Sequence, residues 1–333
     1  MAKRNIEEEV ARLSRLQDSA GGEEAAAAVR KGLRDRVNLV AARAAQVAGE
    51  LKLKSVAPDM VAVFHRLVSQ GAVSDPQCWA KNAIAKALTD LDHDDSGAFL
   101  PGCRYVQMEA VWGGKTDTAV TLRSLCTLAL VQCADLPRAD KFRHILASVT
   151  DPAESVRIDA LRALEQMEGE EAALLLRLKA GLGDPRAAVL GQAIESLLRL
   201  EGARALDFAG RFLVERDLAI SNELDSTPEE KIEEAALAIG SSRLPAAVEV
   251  LKGSWTRQPK MVFLQAISVS RQQIGFDFLL ELVRSGRERD AANALAALAI
   301  HRNSTEIENL VRTAVQKRAS PVLQEKMDAD FSS

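Results

Sequence analysis

The chain has 333 residues, 47% of them hydrophobic but only 4% aromatic, with a formal net charge of −4 and a pI near 5.8. That length allows one elongated array or two compact domains, and alanine and leucine in place of aromatic and β-branched residues favour closely packed helices over sheets. The acidic balance and evenly mixed charges speak against a dedicated duplex-DNA binder, which usually carries a net basic face.

At the start, MAKRNIEEEV has no apolar run behind its basic residues, so no secretory leader is expected. Ile6, Val10, Leu13 and Leu16 sit at helical spacing; Gly21-Gly22 interrupts, and Ala25–Leu33 and Val37–Leu51 resume the period. From Pro58, Val61, Phe64, Leu67 and Val68 make one apolar face that ends near Gly71. Asp75-Pro76 then predicts a helix start, because the carboxylate can accept from free first-turn amides and proline at the first helical position loses no hydrogen bond. Ala80, Ile84, Ala87, Leu88 and Leu91 follow it.

The same start recurs at Asp151-Pro152 and Asp184-Pro185, 33 residues apart, with Val156, Ala160 and Leu164 in register with Val189, Ala193 and Leu197. Second helices are expected near Glu170–Ala180 and Ala203–Val214. A helix pair repeating at this period cannot bury its apolar face alone, and stacking on its neighbours does so, which is the logic of a solenoid. After a polar stretch at Asp217–Thr227, Thr227-Pro228-Glu229-Glu230 reads as a capping box. Helical patterns follow at Ile232–Ile239, Pro245–Leu251, Val262–Val269, Phe276–Val283, Asp290–Ile300 and Ile307–Val315, with one more short helix after Ser320. Nowhere does the sequence reach the roughly 18–20 continuous apolar residues of a membrane span.

The segment D-P-A-E-S-V-R-I-D-A-L-R-A-L, Asp151–Leu164, resembles the first helix of a HEAT repeat. It is similar, more narrowly, to the bilin-lyase-type HEAT-like pattern D-P-x-x-x-V-R-x-x-A-x-x-A-L, matching at Asp151, Pro152, Val156, Arg157, Ala160, Ala163 and Leu164. The resemblance covers about residues 75–91 and 150–215. It implies an all-α fold, a right-handed α-solenoid (α-α superhelix) of HEAT-like helix pairs, with an N-terminal helical arm at 1–55, repeats at 56–216 carrying an inserted ordered loop at 92–116, and C-terminal repeats at 217–333. A hinge is expected near 217–228. In such repeats the basic residue contacts the capping Asp of a neighbouring repeat in an internal ladder; Leu190 replaces it in one unit and Lys81 stands there in another.

The segment least like a repeat is His93–Thr116, which holds the sole Tyr. Its length and its many apolar residues predict a loop that is ordered and packed on the array. Arg104, Tyr105, Trp112 and Lys115 are its candidate partner-binding residues, since Trp, Tyr and Arg dominate binding hot spots. The alternative is that the aromatics pin the loop to the helices beneath. Arg177, Arg204 and Arg211 are further candidates, on second helices expected to line a concave face.

Asp92-His93-Asp94-Asp95 has ligand-type side chains, but adjacent residues rarely all point inward and no second cluster at ligand spacing supports them, so no metal site is predicted. The motifs of hydrolases, zinc proteases, phosphate-binding loops and dinucleotide folds are missing. His65 and His144 fall in helical patterns and read as surface or interfacial side chains; Glu229-Glu230, Glu233-Glu234 and the run Arg284–Arg289 with Lys260 read as solvated faces. Cys78, Cys103, Cys126 and Cys133 form no C-x-x-C pair and read as buried free thiols in a reducing, cytoplasmic setting. The expectation is therefore a scaffold with no cofactor and no catalytic residue, binding a protein partner through its concave face and central loop. Two alternatives stand beside it: a nucleic-acid protein resembling HEAT-like DNA alkyl-base glycosylases, for which Trp112 and Asp117 are the available pair, and a bilin-lyase-like small-ligand protein.

Overall fold

A computed structural model describes residues 6–18, 22–214 and 225–331. Among these the chain is helical except for one two-stranded hairpin, and it divides into two compact units, Met1–Met167 and Glu168–Ser333. The hinge expected near 217–228 lies mostly outside the described residues. No described helix is long and apolar enough to cross a membrane.

In the first unit the helices are α1 (Ile6–Ser14), α2 (Gly22–Leu33), α3 (Asn38–Glu50), α4 (Ala57–Gln70), α5 (Trp79–Asp90), α6 (Val120–Ala129), α7 (Arg138–Val149) and α8 (Glu154–Met167). One row is formed by α1, α3, α5, α6 and α8, each packed on the next; α2, α4 and α7 lie on its other side. The most extensive pairing in this unit, α3 on α5, joins two helices with small buried side chains, Ala41, Ala44, Ala45 and Ala48 on α3 and Ala80 and Ala87 on α5, and a Cβ at Gly49 of α3 would lie 3.5 Å from Ala87. Small side chains let the helix axes approach, and the larger Phe64, Phe99 and Met60 fill the space between rows.

Among the described residues, four helices begin in the same way. The carboxylates of Asp35, Asp117, Asp151 and Asp184 each accept from the amide two residues on, at 2.8, 3.0, 2.8 and 2.9 Å. Each helix then starts three residues after its aspartate, at Asn38, Val120, Glu154 and Ala187. The sequence places a helix start near Asp117, after the loop, without matching it to the repeat; the structure shows that it is one. Leu122, Arg123, Cys126, Ala129 and Leu130 fall at the offsets of Val156, Arg157, Ala160, Ala163 and Leu164, and all ten are buried.

The second unit holds α9 (Gly169–Leu182), α10 (Ala187–Glu201), α11 (Leu206–Gly210), α12 (Pro228–Ser241), α13 (Pro245–Arg257), α14 (Met261–Val269), α15 (Gln273–Ser285), α16 (Glu288–Leu298), α17 (Thr305–Arg318) and α18 (Pro321–Phe331). Again alternate helices pack in rows, α10, α12, α14, α16 and α18 in one and α11, α13, α15 and α17 in the other. The capping box opens α12 as expected: Glu230 N donates to Thr227 Oγ1 at 3.2 Å, and Thr227 N to Glu230 Oε2 at 2.8 Å. Gly240 is required where α12 meets α14, since a Cβ there would lie 2.3 Å from the Ala266 carbonyl oxygen.

Candidate functional site

The row formed by α1, α3, α5 and α6 has an open groove of about 830 Å³ along its outer face. It is lined by Leu39, Ala42, Arg43, Gln46 and Glu50 of α3, by Trp79, Asn82, Ala83, Lys86, Ala87 and Asp90 of α5, and by Val10, Thr121 and Leu125. On α3 and α5 these positions recur every three or four residues, so each helix offers one continuous stripe. Trp79 is 49% exposed and Leu39 41%, so two large apolar side chains face solvent along the groove. The charges on the walls are matched within the protein, Arg43 with Glu50 at 3.1 Å and Lys86 with Asp90 at 2.8 Å. The floor is therefore apolar and the rim locally neutral. The sequence reading places a binding face on second helices, whereas this groove lies on the row of helices that follow the aspartate starts.

At the end of the groove where α5 and α6 begin stands the hairpin, β1 (Met108–Val111) paired antiparallel with β2 (Gly114–Asp117). This hairpin is the exception to the helical composition, and the expected packing of the loop does not extend to its tip. Met-Glu-Ala-Val and Gly-Lys-Thr-Asp flank Trp112-Gly113, and Gly113 takes φ +87°, the left-handed second position that a type II turn demands of glycine. Ordered packing ends at the root. Trp112, at the tip, is fully exposed, Lys115 is exposed, and Met108 and Val111 are about half exposed. Arg104 is exposed ahead of the hairpin.

The root is a dense polar cluster. Tyr105 is half-buried, its hydroxyl donating to Gln107 Oε1 at 2.9 Å and its ring 5.4 Å from Lys81 Nζ. Burial, with Cys78, Asp75 and Glu109 adding to it, raises the Tyr105 phenol above its usual range. Lys81 and Asp75 are both fully buried and lie 3.2 Å apart. Glu109 accepts from Thr118 Oγ1 (2.6 Å), Gln107 Nε2 (2.7 Å) and Gln77 N (2.7 Å). Burial alone would raise the Glu109 carboxyl, but these donors outweigh it and hold it below the ordinary glutamate value.

Beside it, Arg123 is buried between two aspartates, its Nη1 2.6 Å from Asp117 and its Nε and Nη2 2.8 and 3.1 Å from Asp151, with a fourth bond to the Tyr105 carbonyl at 2.9 Å. Arg123 thus joins the Asp of its own unit to the Asp of the next, and Arg157 continues by donating to the Asp151 carbonyl at 2.9 Å. Asp117 is consumed by this work: burial pushes its carboxyl up, but the Ala119 amide, Arg123 and the Gln107 amide bring it below the usual aspartate range. It is a helix cap with a structural arginine, not an acid poised over an open pocket.

In the second unit Arg177 chelates Glu201 and lies 4.9 Å over the Phe208 ring, which Arg211 approaches from 5.9 Å. Arg204 is exposed in the turn before α11. The three arginines therefore gather around α11, while Tyr105, Trp112 and Lys115 belong to the hairpin of the first unit. Among the described residues no group of three or more His, Cys, Asp or Glu side chains is arranged to hold a metal ion. In the Asp92–Asp95 run, Asp95 caps the next turn by accepting from Gly97 N at 2.8 Å, and Asp92 meets Lys54 at 3.2 Å. His65 Nε2 is 3.0 Å from the Gly97 carbonyl oxygen. All four cysteines are buried free thiols, and burial pushes Cys103 and Cys133 up to about 12.

Sequence reasoning did not single out Trp79. The available signal was a large aromatic residue off the apolar stripe of Ala80, Ile84, Ala87 and Leu88. Compared with protein-family models and with curated protein sequences, the chain gives no match.

Proposed function

We propose that this chain is a HEAT-like α-solenoid scaffold, without catalytic activity of its own, that binds a protein partner in the groove on α3, α5 and α6. The groove carries the reading: an apolar floor with Trp79 and Leu39 exposed, flanked by charges already paired within the protein, is the surface an amphipathic segment of another protein fills. Large aromatic side chains at the centre of such a face supply most of the binding energy. The exposed Trp112 at the hairpin tip adds a second anchor at one end. Packing of alternate helices in rows supports the solenoid architecture, and the Arg123 bridge between successive aspartate starts supports the HEAT-like assignment. Four buried free thiols suit a reducing compartment and favour the cytoplasm.

Affinity capture from cell lysate, with and without nuclease, tests the reading. The intact chain is compared with an Ala83→Glu variant, which puts a charge on the groove floor, and with Tyr105→Ala/Trp112→Ala. A protein that survives nuclease and is lost with Ala83→Glu is expected. Recovery of nuclease-sensitive material alone, or a partner indifferent to Ala83→Glu, overturns it.

A further inference from the structure

At Asp75 the common helix start is broken in a specific way. In the other four units the amide two residues after the aspartate is capped by that aspartate. Here the equivalent amide, Gln77 N, donates instead to Glu109 of the hairpin at 2.7 Å, and Gln77 Nε2 reaches the same carboxylate at 3.3 Å. Displaced from its usual partner, the Asp75 carboxylate takes the amides of Ala80 and Lys81, at 3.0 and 2.9 Å. Between the two carboxylates Gln77 and Cys78 are held at φ +60° and +54°. Two consecutive left-handed residues, neither of them glycine, form a conformation that persists only where surrounding contacts impose it. Helix α5 starts at Trp79, four residues after its aspartate rather than three.

We propose that the hairpin is a latch on α5. Glu109, by taking the Gln77 amide, holds residues 77 and 78 left-handed and thereby sets where α5 begins and how Trp79 stands in the groove. In the released state the Gln77 amide returns to Asp75, residues 77 and 78 become right-handed, and α5 starts at Cys78, as its sister helices do. Movement of the hairpin, whose tip is the exposed Trp112, is thus transmitted to the groove wall through the Glu109 carboxylate, beside the hydrogen bond from the Gln107 side-chain amide to the Asp75 carbonyl at 3.0 Å and the Thr118 hydroxyl 3.8 Å from Cys78 Sγ. Sequence agrees with two competing states: Asp75-Pro76 is the same start signal as Asp151-Pro152 and Asp184-Pro185, and among these described starts the one whose second amide is taken by Glu109 departs from the common geometry. The coupling stands whether or not the groove takes a partner.

The test uses the full chain with Trp112→Phe and Trp255→Phe, so that Trp79 is the sole tryptophan and is excited selectively at wavelengths tyrosine does not absorb. Glu109→Ala is expected to shift Trp79 emission and change its quenching by acrylamide. Glu109→Gln, which keeps an acceptor for the Gln77 amide, is expected to leave both near the parent. Adding Gln77→Gly/Cys78→Gly to Glu109→Ala is expected to restore the parent signal, since glycine adopts the left-handed turn without the latch. Selective labelling of cysteine, with Trp79 unchanged, gives a second readout: the HN–Hα coupling of Cys78 falls to a helical value in Glu109→Ala. An unmoved Trp79 and Cys78 in Glu109→Ala overturns the proposal. So does a Trp79 shift that the glycines fail to reverse, because loss of the hairpin as a mere cover would not be rescued at the turn.

Discussion

Replacing Arg123 by methionine removes a cation shared by two aspartate starts. Its side chain is 3% exposed and makes three charged bonds to Asp117 and Asp151 and one to a carbonyl, while the carboxylates left behind are 20% and 10% exposed. Removing one partner of such a buried set strands the others, which typically costs about 3–5 kcal/mol. Asp117 keeps its two amide donors, and partial exposure lets water reach it, so we place the loss near the lower end, about 3 kcal/mol. With a urea slope of about 2 kcal/mol/M, the midpoint should fall by about 1.5 M. Urea unfolding followed by fluorescence in a Trp255→Phe background reads the first unit alone, since Trp79 and Trp112 both lie in it. Arg123→Lys keeps the charge but cannot bridge both carboxylates in a planar fork, and should fall in between. A midpoint within about 0.3 M of the parent for Arg123→Met, corresponding to under about 0.6 kcal/mol, would refute the claim that this arginine ties successive repeats.

Three further outcomes follow from the fold. Gly240→Ala drives a methyl into the Ala266 carbonyl and should cost about 1–3 kcal/mol, read as a lowered thermal midpoint of the second unit through Trp255. Thr227→Ala removes half of the capping box on α12 and should cost about 1 kcal/mol by the same readout; no loss would mean that the box adds nothing to that helix. Asp117, Asp135 and Glu109 all have carboxyls held below their usual values, Asp135 mainly by the Ser96 hydroxyl and amide. A depressed folded value contributes stability that is present above the unfolded value, about 4, and is lost as pH falls through the folded one. Urea midpoints of the first unit should therefore be level at neutral pH and decline below about pH 4, and Asp117→Asn should flatten that decline.

Helix periodicity and aspartate starts carried most of the fold, because they record local facts: which side chains face inward, and which can cap a free amide. The helix after Asp117 was not matched to the repeat because Thr118 stands where the Asp75, Asp151 and Asp184 units have proline and Cys126 where the Asp151 and Asp184 units have alanine, although its offsets match. The hairpin was hidden because strand signal in four residues is weak against the surrounding helical composition, and Gly113-Gly114 reads equally well as any loop. Tyr105 and Trp112 were picked out by residue type alone; whether each was buried or exposed depended on the hairpin and could not be read from the chain. The groove was illegible for a different reason. It arises from four helices drawn from separate parts of the chain, so no single segment carries its signature. Glu109, an ordinary glutamate in sequence, owes its role entirely to the Gln77 amide brought to it by the fold.

The central claim, a protein partner seated in the groove, is tested most directly by site-specific photocrosslinking in cells. A benzophenone side chain is placed at Leu39 or Trp79 on the groove wall, and, as a control, at Val73, which is 97% exposed and outside the groove. The account predicts a discrete polypeptide adduct from Leu39 and Trp79, absent from Val73 and lost when Ala83→Glu is added. Equal labelling from all three positions, or adducts to nucleic acid rather than polypeptide, would contradict it.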